Sequence, residues 1–207
     1  MAKEACGRKI NLCAFCRVPA SSSSEEEVKR IKKLIDFNNA YAFYMLAGYY
    51  ARGNMGMQQD IAKGNELYLR AGELGNPEAY DNLGYSYDNG IGVEVDKKKA
   101  KYYWELAAMN GNVNARHNLG CVELYAGNHH RAYKHLILSA KAGFKDSLDM
   151  LKDGFMGGII TKDEYTNTLR AYQQRHDEMK SKDRDKAEAF YEERDAAGQM
   201  YTVDSFG

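Results

Sequence analysis

Three cysteines, Cys6, Cys13 and Cys16, fall within eleven positions of one another, and closely spaced thiolates are the raw material of structural zinc sites. Such sites take four ligands. Residues 1–40 hold no histidine, so the three sulfurs leave one coordination position to water or an outside group, and one weakly held zinc is the most they support. His117 and Cys121 stand four residues apart, one helical turn, and are a second pair of ligand types; two ligands are too few, and a polar residue beside a small hydrophobe is the plainer reading. His129 and His130 titrate near neutrality and suit acid–base work, yet no nucleophile or carboxylate stands near them in the pattern, so a solvated turn is simpler. No phosphate-binding loop, nucleophile elbow or HExxH motif occurs. The expectation is a protein that binds without catalysing and carries no resident cofactor.

Composition narrows the partners. The 29 Lys and Arg residues match the 29 Asp and Glu, so no net field draws the chain toward nucleic acid or anionic lipid. Sixteen tyrosines and one tryptophan could stack bases, but most stand at repeated core positions, and packing accounts for them better. The longest strongly apolar stretch, "YAFYMLAGYYA" at Tyr41–Ala51, is far shorter than the ~20 residues that cross a bilayer, so no membrane insertion is expected. No apolar leader precedes the cysteines, and a solitary Cys121 beside a crowded trio is no disulfide framework; both suggest an intracellular, cytoplasmic setting.

Positioning must come from a repeat. The stretch "NPEAYDNLGYSYDNGIGVEVDKKKAKYYWELAAMNG" (76–111) recurs on both sides of itself: Ala79, Leu83 and Gly84 return as Ala115, Leu119 and Gly120, and before them as Ala42, Leu46 and Ala47. Gly75, Gly111 and Gly143 each close a unit. Asn76 suits an N-cap, Pro77 the first helical position, and Gly75 a left-handed residue, so one helix starts at Pro77 and ends near Asn89; Asp96 caps the next. Ala79, Leu83 and Tyr87 make one apolar stripe, and Ala100, Tyr103, Trp104 and Ala107 another. Glycine inside a helix costs about 1 kcal/mol against alanine, so Gly84 and Gly120 imply a neighbouring helix packed backbone against backbone. Ahead of the repeats, Val28, Ile31, Leu34 and Ile35 share a helix face that should dock on the first unit. After Gly143, Thr161 and Glu164 form a capping box with Ile160 and Tyr165 as its hydrophobic staple, in a degenerate fourth unit suited to close the array.

This pattern resembles the Sel-one-like repeat, an αα-hairpin of the tetratricopeptide superclass, over about Asn39 to Gly143. The first unit departs from it with Ala47 where the leucine-glycine pair expects glycine and Gly64 where alanine is expected, and the third has the shortened loop "YAGNHHRA". The resemblance implies an all-α, right-handed superhelical solenoid of stacked antiparallel αα-hairpins and an adaptor role, with a protein or peptide held in the concave groove. "CGRKI" and "CAFCR" with Val18 and Pro19 resemble the opening and closing of a RING finger, which needs eight ligands for two zincs; Ala14 stands where such fingers commonly have proline. The finger is internally deleted. The alternative function is a zinc-binding, RING-type ubiquitin ligase with the repeats as its substrate arm. The organisation is then a cysteine-containing disordered arm at 1–22, a capping helix at 23–37, helical repeats at 38–176 and a charged tail, helical or disordered, at 177–207.

In the first helix of each unit, Ala, Leu and Tyr fix the core stripe, and the remaining positions face outward. Two residues before the leucine stand Tyr44, Asp81 and His117; two after it stand Gly48, Tyr85 and Cys121. Each pair is four apart and shares a face. Tyr44 and Tyr85 are the candidate aromatic anchors for a partner, with Asp81, His117 and Cys121 around them. From the missing finger ligands, purified protein should hold far less than two zincs per chain by elemental analysis, and a zinc chelator should leave its melting curve unchanged; two tightly held zincs would reverse that reading.

Overall fold

The computed structural model describes residues 24–179, and every regular element among them is an α-helix: α1 (Ser24–Ile35), α2 (Ala40–Arg52), α3 (Ile61–Glu73), α4 (Pro77–Asn89), α5 (Lys97–Met109), α6 (Val113–Tyr125), α7 (His129–Lys141), α8 (Lys145–Met156) and α9 (Lys162–Met179). Cys6, Cys13 and Cys16, and the charged tail from residue 180 on, lie outside the described residues. The chain divides into two compact units, Met1–Ala115 and Arg116–Gly207.

Local chemistry sets the helix starts. Asn39, Asn76 and Asn112 each accept a hydrogen bond from the backbone N–H three residues on, at 3.0, 2.8 and 2.8 Å. Asp60 does the same for Lys63 at 2.9 Å, and Asp96 accepts from Lys98 and Lys99 at 3.0 Å. The first helices α2, α4 and α6 are thus capped by asparagine and the second helices α3 and α5 by aspartate, each oxygen satisfying N–H groups that a helix start otherwise leaves bare. Gly75 and Gly90 adopt φ of 95° and 71°, the left-handed turn that ends a helix and that a Cβ would strain. Thr161 and Glu164 form the reciprocal box: the Thr161 N–H donates to Glu164 Oε2 at 2.9 Å, and the Glu164 N–H to Thr161 Oγ1 at 3.2 Å.

In unit 1, α2 pairs with α3 and α4 with α5, and α3 packs on α4 to stack the two hairpins. The packing reason for Gly84 differs from the expected backbone contact. It is the Trp104 indole: a Cβ on Gly84 would stand 2.5 Å from Trp104 Cδ1 and Nε1. Likewise Gly72 of α3 receives the Tyr80 ring of α4, also within 2.5 Å of where a Cβ would be. Gly64 does meet backbone, with the Ala47 carbonyl oxygen 3.1 Å away, and this explains the exchanged residues of the first unit: there the residue without a Cβ has moved to the facing helix. The buried core of these hairpins is Ala47, Tyr68, Ala71, Ala79 and Leu83. Asn65 ties them together: its Nδ2 donates to the Ile91 carbonyl at 2.8 Å, and its Oδ1 accepts from Ser86 Oγ at 2.9 Å.

Helix α1 docks on α2 through Ile31, with Val28 and Ile35 beside it against Leu46 and Tyr49. Leu34 does not join them and is 46% exposed. At 100° per residue it sits about 90° around the helix from the centre of that stripe. The Tyr49 hydroxyl donates to Glu27 Oε1 at 2.6 Å and completes the contact.

In unit 2, Gly120 receives Leu136, whose Cδ2 would lie 2.7 Å from an added Cβ, and Gly154 receives the Tyr133 ring. Tyr133, Leu136, Ala140, Leu148, Leu151 and Ile160 form its core, with Tyr165 against it as the staple requires. Glu123 stands where the earlier units have Tyr50 and Tyr87, yet it is only 1% exposed. Its carboxylate accepts from Asn128 Nδ2 at 2.8 Å and faces Arg131 at 3.6 Å, so the shortened loop closes over a buried acid. Asn128, thus occupied, makes no side-chain cap for α7.

Gly84→Ala should destabilise the protein by about 1–3 kcal/mol in urea unfolding, despite the ~1 kcal/mol gain in helix propensity, because the buried indole has no room to withdraw. Adding Trp104→Leu should recover part of the loss, whereas a stabilising Gly84→Ala would deny the contact. Burial foremost, then the hydrogen bond and charge of Glu27, push the Tyr49 phenol from 10.0 up to about 12. A folded-state value above the unfolded one means the contribution is whole below about pH 10 and disappears as pH climbs toward 12. Melting temperature should therefore fall from about pH 10 upward, and the fall should be shallower in Tyr49→Phe.

Candidate functional site

Unit 1 offers two aromatic groups. On α2, Tyr41 is 61% exposed and its ring centre lies 6.1 Å from that of Tyr44, which in turn leans on Tyr68 of α3 at 5.7 Å. Tyr44 is therefore half-buried instead of fully outward. On α4, Tyr85 stands 55% exposed, and the half-buried Asp81 is already engaged in an interaction of its own. Tyr41 and Tyr44 on α2, like Glu78, Asp81 and Tyr85 on α4, recur at helical spacing and form one outer strip per helix, whereas Gly48, at the position equivalent to Tyr85, is buried. The second group is internal. Tyr103 of α5 stacks on Tyr80 at 6.0 Å and on Tyr87 at 5.5 Å, with the Lys99 ammonium 5.1 Å above the Tyr87 ring. Burial first of all raises the phenol values of Tyr68, Tyr80 and Tyr103, which keeps these rings neutral.

Unit 2 treats its two candidates differently from the outward pair the sequence suggests. His117 Nδ1 lies 2.9 Å from Ser147 Oγ, and its ring centre is 4.9 Å from Phe144. Its Nε2 is 3.6 Å from Cys121 Sγ, which in turn is 3.9 Å from Met150 Sδ. Both residues are half-buried and turned toward α8. Burial lowers the His117 value, with the nearby Asp146 charge opposing it, and burial raises that of the Cys121 thiol. Ser147 has a signal in the sequence, since it stands where the other units carry Ala42, Ala79 and Ala115; Met150 has none.

His129 and His130 are exposed in the first turn of α7 and line a cleft of about 290 Å³ with Lys134, Ile137, Ile160 and Glu164. A carboxylate does lie near them in space, though distant in sequence. Glu164 is held by Thr161, and those hydrogen bonds chiefly depress its value, the His130 charge adding to the effect. Among the described residues no group of three or more His, Cys, Asp or Glu side chains gathers to hold a metal, and no helix is long and apolar enough to cross a membrane.

The human protein sel-1 homolog 2 is 30% identical over 112 residues, 54% of this chain and 16% of that protein. The Arabidopsis thaliana ERAD-associated E3 ubiquitin-protein ligase component HRD3B is 28% identical over 101 residues, 48% of this chain and 16% of its own length. The chain thus spans about a sixth of these curated relatives. The crystal structure of a Sel1 repeat protein from Oxalobacter formigenes superposes with a TM-score of 0.65 at 23% identity, covering 73% of this chain and 64% of that one, a likeness of fold. The family model for the Sel1 repeat matches residues 40–76, 77–112 and 113–144, whose borders fall at the asparagine-capped starts of α2, α4 and α6 and at Phe144, the residue before α8, and this chain belongs to the Sel1 repeat family.

Proposed function

We propose that this chain is a protein–protein interaction scaffold that holds a peptide or partner domain against the first helices of its repeats. The observation that carries the reading is the pair of aromatic side chains, Tyr41 at 61% and Tyr85 at 55% exposure, held outward on helices whose opposite faces are locked in the core. Aromatic rings on rigid helices contribute large contact area at little entropic cost on binding, which is what interface anchors require. The name of the Arabidopsis relative, a component of a ubiquitin-ligase assembly, supports a role in bringing proteins together. Tyr44 buttresses Tyr41, and Asp81 sets the polar edge of the strip. His117 and Cys121, drawn toward α8, contribute less to such a surface than their sequence positions suggest. The competing reading, a zinc-dependent ligase, rests on Cys6, Cys13 and Cys16 alone, three ligands where a RING needs eight.

Once a partner is recovered from native extract, Tyr41→Ala with Tyr85→Ala should weaken its binding tenfold or more, about 1.4 kcal/mol, with the melting temperature nearly unchanged. Tyr44→Ala should lower both affinity and stability, because its ring also packs on Tyr68. Unaltered affinity in the double variant would place the binding surface elsewhere.

A further inference from the structure

We propose that His117, Cys121 and Met150 form a binding site for a cuprous ion. The three donors come from two helices of unit 2, α6 and α8, and meet around Cys121 Sγ, 3.6 Å from His117 Nε2 and 3.9 Å from Met150 Sδ. Those separations are informative. A metal bound at about 2.0 Å to nitrogen and about 2.3 Å to sulfur spaces an N,S pair by roughly 3.5–3.8 Å and an S,S pair by roughly 3.8–4.0 Å, as the angle between bonds opens from tetrahedral to trigonal. Both separations match these ranges, with Cys121 Sγ the donor common to the two.

The imidazole is also aimed. In the tautomer with its proton on Nδ1, the ring donates to the Ser147 hydroxyl, 2.9 Å away, and turns its Nε2 lone pair toward Cys121. Metal-ligating histidines ordinarily have such an outer hydrogen bond, and it holds both orientation and basicity. Ser147 is fully buried and Phe144 lies against the ring, so the orientation is built in. Cys121 and Met150 are half-buried, which leaves a path for an ion.

The donor set selects the metal. A thiolate and a thioether are soft ligands, which favour Cu(I), and imidazole suits copper as well. Zinc would need a fourth ligand, and among the described residues no further His, Cys, Asp or Glu joins the group. Binding forms the Sγ–Cu bond as the Cys121 thiol releases its proton to solvent. The copper arrives and remains as Cu(I), so no oxidant or reductant takes part. The ion would join the first helices of two successive hairpins.

The test is an anaerobic titration of the full chain with Cu(I) against a chromophoric Cu(I) chelator. Cys6, Cys13 and Cys16 are replaced by serine in one background, because those thiols also bind copper. That background should retain one equivalent of Cu(I) and melt at a higher temperature with it. Adding Cys121→Ser should abolish both effects. Met150→Leu, which conserves volume, should lower Cu(I) affinity about tenfold with an unchanged circular dichroism spectrum. Loss of the equivalent in the triple-serine background, its persistence in Cys121→Ser, or indifference to Met150→Leu would each overturn the assignment. So would tight zinc binding at the same residues that Met150→Leu leaves intact.

Discussion

A side chain seated on a helical glycine is the contact from which both units are assembled. Trp104 on Gly84 closes a hairpin from within, Leu136 on Gly120 does the same in the third, and Tyr80 on Gly72 and Tyr133 on Gly154 join one hairpin to the next. Removing one methyl group per contact lets a large apolar body reach the helix surface, where its dispersion contacts outweigh the lost helix propensity. The residue that lacks a Cβ need not stay on one helix. In the first unit Gly64 faces the Ala47 backbone, so the requirement is for one small residue across the pair, and its address is free.

Apolar packing of this kind fixes distance but leaves register loose, and buried polar groups supply register. Asn65 reaches from α3 to Ser86 of α4 and to the Ile91 carbonyl beyond it, so a slip of the second hairpin would strand an amide in the core. Tyr49 and Glu27 do the same for α1 at the other side of the first hairpin.

Which of these features the sequence discloses depends on how far each interaction reaches along the chain. The caps at Asn39, Asp60, Asn76, Asp96 and Thr161 satisfy a backbone group two or three residues on, and they are readable from residue type and spacing. The ring seated on Gly84 is not readable in the same way, since the glycine announces a close approach without saying whether backbone or indole makes it. Tyr80 on Gly72 and Tyr133 on Gly154 need the helix pairing itself, and neither glycine belongs to the leucine-glycine signature. The site divides along the same line. His117 and Cys121 are legible as a turn-spaced pair and Ser147 as the odd residue at an alanine position, while the contacts with Ser147 and Met150, about thirty residues away, come only from the packing of α8. Tyr85 projects outward as its register implies, but Tyr44 sinks partway because Tyr68 lies beneath it, a contact that no spacing within one helix contains.

The buried Glu123 limits how this array can be recombined. Other units close their internal loops over a tyrosine, and a repeat cut from one place would ordinarily serve in another. The third resists piecemeal exchange: its acid is held by Asn128 and Arg131 among its partners, and the short turn brings both within reach. Residues 123–131 therefore act as one block, and a lengthened turn without the return of tyrosine would draw Asn128 and Arg131 away from a buried acid.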